Sequence, residues 1–251
     1  MSSADSAGIP WEGRHFEHNA SSDDDGSAPE KLIEAIRRFR AGELGEADVV
    51  DALRDARLLI PLVAHLGEAG TDDHGRTIDK SQELSIVAVT GPDGRTVLPA
   101  FTSVTAMAAW NPRARPVPAA STRVALAAVA ENTDIVVLDP TSDTEFAVRR
   151  PALWAMAQGE VWLPSYLDED VLSAFMDAAA PETAVLAVQL APGDPRAQLA
   201  GPELVVQLSL EDGLDRAALD GVIARLGERW AASDVIATRV DSLRVQLVGS
   251  A

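Results

Sequence analysis

A chain of 251 residues with 47% apolar content is long enough to bury one large core or two ordinary ones. Its net charge of −18 excludes nonspecific binding to nucleic acid or to an anionic membrane, both of which need clustered Lys and Arg. The absence of cysteine excludes disulfides, thiolate metal sites, iron–sulfur clusters and cysteine nucleophiles.

The charge is uneven along the chain: residues 1–28 carry −5, residues 29–158 carry −4 and residues 159–251 carry −9. The N-terminus lacks a basic segment followed by an apolar run, and no stretch approaches the ~20 apolar residues of a membrane span, so a cytoplasmic location is expected. Residues 1–28 are rich in Ser, Asp and Gly and read as a flexible acidic tail. Trp11, Phe16, His15 and His18 interrupt it, but two histidines without further ligands make an incomplete metal site.

From Pro29 the pattern becomes helical, with Leu32, Ile33, Ile36 and Phe39 on one face and Gly42 as a stop. A second helix through Val49, Val50 and Leu53 leads into a strand at Leu58–Ile60, where Pro61 favours an edge position. Glu68 to Lys80 reads as a loop whose Asp72, Asp73 and His74 are solvated rather than metal-binding. Next comes LSIVAVTGPDGRTVLPAFTSVTAMAAWNP, Leu84 to Pro112, which reads as strand, tight turn, strand and short helix. Thr102 or Ser103 caps that helix and Asn111-Pro112 ends it. Trp110, at the helix end beside a bend carrying Arg113 and Arg115, is a candidate interaction surface.

Ser121 to Asn132 reads as a small apolar helix, Ile135 to Leu138 as a buried strand and Thr144 to Val148 as another strand. Pro151 then opens the helix PALWAMAQ, which Gly159 ends. Leu98, Phe101, Met107, Ile135, Val137 and Trp154 are expected in one core. Residues 29–158 are thus expected to form a domain with a mixed or antiparallel sheet covered by helices.

The order of hairpin with PDGR turn, LPAFTS, the MAAWNP helix end, an Ala/Val-rich helix and IVVLDP resembles the SseB-like family, named for the enhanced serine sensitivity protein SseB. The resemblance covers about Pro29 to Gln158. It implies a cytoplasmic bacterial protein without an established enzymatic reaction, loosely associated with serine tolerance.

In residues 159–251, Val161-Trp162-Leu163 reads as a strand, followed by a helix with Asp168 near its cap and a strand over Thr183 to Leu190. Leu204 to Leu210 reads as the next strand and Leu219 to Trp230 as a long amphipathic helix. Extended segments at Val235-Ile236 and Leu243 to Val248 close the chain. This order matches a smaller, ferredoxin-like α+β domain with a β-α-β-β-α-β arrangement, so the expected fold class is α+β throughout.

No G-x-S-x-G elbow and no Walker loop occurs, and the glycines of GPDGR are explained by turn geometry. Asp168-Glu169-Asp170 and Glu211-Asp212 fall at expected helix starts, where negative charge complements the helix dipole. No catalytic residue, cofactor or metal site is therefore nominated. The expected function is that of a noncatalytic interaction or adaptor protein with a protein partner or self-association. Glu211, Asp212 and Asp215 contribute an acidic surface to partner choice. The alternative is a regulatory protein that senses a small ligand such as an amino acid.

Overall fold

A computed structural model of the chain describes residues 24–65, 70–71, 77–78, 83–86, 88–130 and 133–249. The Trp11 to His18 patch and Asp72, Asp73 and His74 fall outside the described residues. Residues 24–28, assigned by composition to the tail, are docked: Asp24 pairs with Arg57 at 2.7 Å and the Val104 amide donates to the Gly26 carbonyl at 3.0 Å.

Helix α1 (Glu30–Arg40) buries Leu32, Ala35 and Ile36 at i, i+3, i+4, and α2 (Glu46–Arg54) buries Val49, Val50 and Leu53 at i, i+1, i+4, each set making one apolar face. Strand β1 (Arg57–His65) follows, with a small antiparallel pair of β2 (Gly70–Thr71) and β3 (Thr77–Ile78), then β4 (Glu83–Ile86). The expected hairpin forms only near its turn, between β5 (Val89–Thr90) and β6 (Thr96–Ala100) and turned at Gly94 with φ +82°, a conformation that side-chain-bearing residues resist; Leu84 to Ile86, expected in its first strand, pair instead with β1. The N-terminal half continues through α3 (Val104–Trp110), β7 (Arg115–Ala120), α4 (Ser121–Ala130), β8 (Ile135–Leu138), β9 (Phe146–Arg149) and α5 (Arg150–Gln158).

The strands run β5-β6-β8-β9 in one sheet, with β6 and β8 parallel, and β4-β1-β7 in another. Reciprocal backbone bonds of 2.8 and 2.9 Å between Leu59 and Phe101 join the two. Pro61 is therefore not on an edge. It falls where β1 exchanges one neighbour for another, between Leu59, which pairs with Phe101, and Leu62, which pairs with Ile86 of β4, while Pro61 itself faces Pro116 across β7. A residue without an N–H is tolerated where no ladder bond is required of it. The stretch after Trp110, expected as a bend, is mostly the edge strand β7, whose Pro116 and Pro118 suit an edge.

The six residues expected in one core are divided by the strand period of two. Leu98 joins the main cluster under α1, α2, α4 and α5; Ile135 and Val137 point to the opposite face with Val97. Phe101 and Met107 pack with Leu59 beneath α3, and Trp154 is half-buried on α5 under the guanidinium of Arg150, 5.3 Å from its ring.

Beyond Gly159 the chain forms a 3₁₀ turn at Ser165–Leu167, then α6 (Glu169–Ala179), β10 (Val185–Pro192), β11 (Leu204–Leu210), α7 (Arg216–Ala231), α8 (Asp234–Arg239) and β12 (Leu243–Val248). The α+β class holds, but the four-stranded ferredoxin-like arrangement does not form. Among the described residues Val161-Trp162-Leu163 pairs with no strand, and β11 and β12 pair directly in parallel, in the order β10-β11-β12. Val235-Ile236 is helical in α8, because the Ser233 hydroxyl caps the Ile236 amide. The C-terminal core of Phe175, Leu204, Val206, Leu208, Leu226 and Trp230 is closed by an edge-on contact of Phe175 with Trp230, 5.2 Å between ring centroids.

A loop, residues 193–202, reaches from the C-terminal half into the N-terminal one. The Ala147 amide on β9 donates to the Ala197 carbonyl at 2.7 Å, and Leu199 packs with Val97, Ile135 and Val137 over the outer face of the sheet. Gly193 lets the loop close: a Cβ there would lie 2.2 Å from the Pro202 carbonyl oxygen.

Candidate functional site

The junction of the two halves is built on Arg149, at the end of β9 and almost fully buried. Its guanidinium donates to the Asp194 carboxylate and to the Gly201 carbonyl, both at 2.8 Å, and to Asp241 at 3.1 Å. Arg95 holds the same Asp241 with two bonds of 2.9 Å and reaches Asp93 at 2.8 Å. Burial pushes the Asp241 carboxyl up, but the two guanidinium groups outweigh it and hold it below the usual carboxylate range. The buried Arg149, Asp194 and Asp241 thus satisfy one another out of water, with the partly exposed Arg95 closing the network from outside.

A second carboxylate group lies beside this network without a matching cation. Burial pushes Glu46, at the start of α2, up to about 7, with the Glu203 carboxyl adding to the shift and Arg149 opposing it. Glu203 is raised for the same first reason, its burial, and one of its oxygens has no hydrogen-bond partner among the described residues. Burial likewise raises the neighbouring Tyr166 hydroxyl to about 12, helped by Glu46. Of the three groups Glu203 is buried while Glu46 and Tyr166 are only partly so, and their mutual proximity favours the protonated form of the two carboxyls.

The accessible site is a groove of about 730 Å³ on the outside of the junction. One wall is α5, with Trp154; the other is the start of α6 and the end of α8; the floor is the chain from Glu160 to Leu163. Val161 is 84% exposed, Leu163 52% and Leu167 60%, whereas Trp162 between them is buried in the main core. Carboxylates rim these apolar residues. Glu160 and Glu169 are exposed, and Asp168 and Asp170 share Arg239 at 3.0 and 2.8 Å. Asp168 also caps α6, accepting from the Asp170 amide at 2.9 Å. Arg54 of α2 donates to the Glu160 carbonyl and sets where the floor begins.

The nominated surface residues do not converge on this groove. Trp110 is half-buried against Phe101, 5.3 Å between centroids, with Arg113 and Arg115 exposed on the way into β7. Glu211 and Asp212 are exposed at the end of β11 away from the junction, and Asp215 caps α7 by accepting from the Ala218 amide at 2.8 Å. Of the two candidate caps, Ser103 caps α3, while Thr102 donates its hydroxyl to the buried Asp139 at 2.6 Å. The groove's signal in the sequence is the alternation V-W-L-P beside Asp168-Glu169-Asp170. It reads as a strand and a helix start, and only the missing strand partner turns it into open surface. Arg149, Asp194 and Asp241 carry no such signal, since ionic residues near strand ends and in loops look solvated.

Among the described residues no three His, Asp or Glu side chains are grouped as metal ligands, and no helix is long and apolar enough to cross a membrane. The family model of the SseB protein N-terminal domain matches residues 30–155. No curated protein and no solved structure matches the chain.

Proposed function

We propose that this chain, which belongs to the SseB family, acts by binding a protein partner and not by turnover, and that the groove at its junction is the contact surface. The observation that supports this reading is the exposure of Val161, Leu163 and Leu167 side by side within a rim of carboxylates. Apolar side chains gathered in a concave, polar-rimmed site mark an interaction surface. A cytoplasmic adaptor role, and any link to serine tolerance, belongs to the same proposal.

The acidic rim selects a partner with a basic surface and speeds its encounter, so the complex weakens as salt rises. Glu211, Asp212 and Asp215 are poorer tests of this than they look in the sequence, because replacing Asp215 also removes a helix cap. Glu160→Lys with Glu169→Lys changes the groove at two exposed positions instead. In affinity purification from the native cell, with and without added serine, the partners recovered with the unchanged chain are expected to be lost with this pair and retained with Glu211→Lys plus Asp212→Lys. Equal recovery with the groove pair overturns the reading. So does turnover of a metabolite that a single substitution in the groove abolishes, or a partner set that depends on serine alone.

A further inference from the structure

The backbone of the groove floor is itself unused. From Glu160 to Pro164 the chain is neither helix nor ladder strand, and among the described residues the amides and carbonyls of Val161, Trp162 and Leu163 make no hydrogen bond. Side chains alternate outward and inward along it, Val161 and Leu163 exposed and Trp162 and Pro164 buried, as in a strand with one face on a core. Both ends are pinned: Arg54 holds the Glu160 carbonyl, and the Leu167 amide donates to the Pro164 carbonyl at 2.9 Å. A segment held at both ends, with strand-like alternation and backbone groups that make no hydrogen bond among the described residues, is a template for another strand.

We infer that the groove takes an extended peptide segment of the partner as an added β-strand along Val161–Leu163, with an apolar side chain seated beside Leu163 and Leu167 and a Lys or Arg facing Glu160 or Glu169. This rests on the groove being the contact surface and adds how, and to what chemistry, it binds. Main-chain hydrogen bonds hold such a segment, and alternate side chains set its specificity. The floor spans roughly 10 Å at about 3.3 Å per residue, which matches three to four residues of the incoming chain. Because the floor is fixed before binding, less ordering entropy is lost. The carboxylates choose among occupants: phosphate-bearing chains are repelled, and a second copy pairing strand to strand would bring two acidic rims together.

The test uses the full chain and fluorescence anisotropy with a library of labelled, end-blocked hexapeptides that alternate Lys or Arg with Val or Leu. Members of the library are expected to bind, and the same peptides with Glu in place of the cations are not. Methylating alternate backbone nitrogens of the best peptide is expected to weaken it at least tenfold on one alternate set and little on the other, since only one set faces the floor. Leu163→Asp is expected to weaken it about tenfold; Val161→Asp, at a position too exposed to disturb folding, does the same if Leu163→Asp fails to fold. Absence of binding across the library, or equal tolerance of both methylated sets, overturns strand addition. If the groove pair still abolishes partner recovery from cells in that case, the groove remains the contact surface and only this mode of binding fails.

Discussion

At the scale of single residues, burial decides the chemistry of the junction more than residue type does. Asp241 and Glu203 are neighbours at the junction, the Asp241 amide donating to the Glu203 carboxyl, yet the Asp241 carboxyl is lowered by two guanidinium groups while that of Glu203 is raised by burial. Glu46 follows Glu203. Its carboxyl titrates near 7 in the folded chain against an ordinary value of 4.5. Between those two values the unfolded chain has released this proton and the folded chain still holds it. Its contribution to stability therefore falls as pH rises through the window, and the loss is complete above it. Glu46→Gln removes the ionisation and is expected to be more stable than the unchanged chain by up to about 3 kcal/mol at pH 8, with little difference near pH 4. Urea unfolding at the two pH values measures this; a gain of the same size at both would mean that packing, not charge, produced it.

Among the elements, the loop of residues 193–202 ties the C-terminal half to the N-terminal sheet. It carries Ala197 and Leu199 at φ +47° and +56°, a region that costs non-glycine residues about 1 kcal/mol or more, and it keeps them there because both side chains are buried in the other half. Its closure depends on Gly193 and Gly201, whose backbones approach too closely for a side chain at either. Gly193→Ala is expected to cost about 1–3 kcal/mol by forcing the backbone apart. Because the loop supplies the carbonyl that the Ala147 amide bonds, that amide should lose protection from hydrogen exchange in the variant. Unchanged exchange at Ala147 would show that the loop seats itself independently of its own closure.

For the whole molecule, the two halves share a desolvated ionic network and the apolar contacts of one loop, so neither half completes its own surface. Arg149 bonds two carboxylates that both come from the C-terminal half, and Arg150 caps α8 through the Ala237 and Val240 carbonyls, each at 2.9 Å. Unfolding is therefore expected as one transition, seen together by far-ultraviolet and tryptophan signals. Arg149→Ala leaves Asp194 and Asp241 buried with less or no compensation and should cost about 3–5 kcal/mol. Separate transitions in the unchanged chain, or a loss below about 1 kcal/mol in the variant, would show that the halves are only loosely joined.

Features specified by neighbouring residues were legible in the sequence by itself: the helices α1, α2, α4 and α5, the hairpin turned at Gly94, the buried strand β8 and the α+β class. Each depends on periodicity, a cap or a turn residue, and these act over a few positions. Only the tertiary structure decided what depends on distant partners. Pro61 looks like an edge residue until β1 is seen to change neighbours there, and Val161-Trp162-Leu163 looks like a strand but, among the described residues, has none beside it. The same holds for the junction. An arginine at a strand end and an aspartate in a loop 45 residues later are written like solvated charges, and they become a buried pair only because the fold removes water from between them.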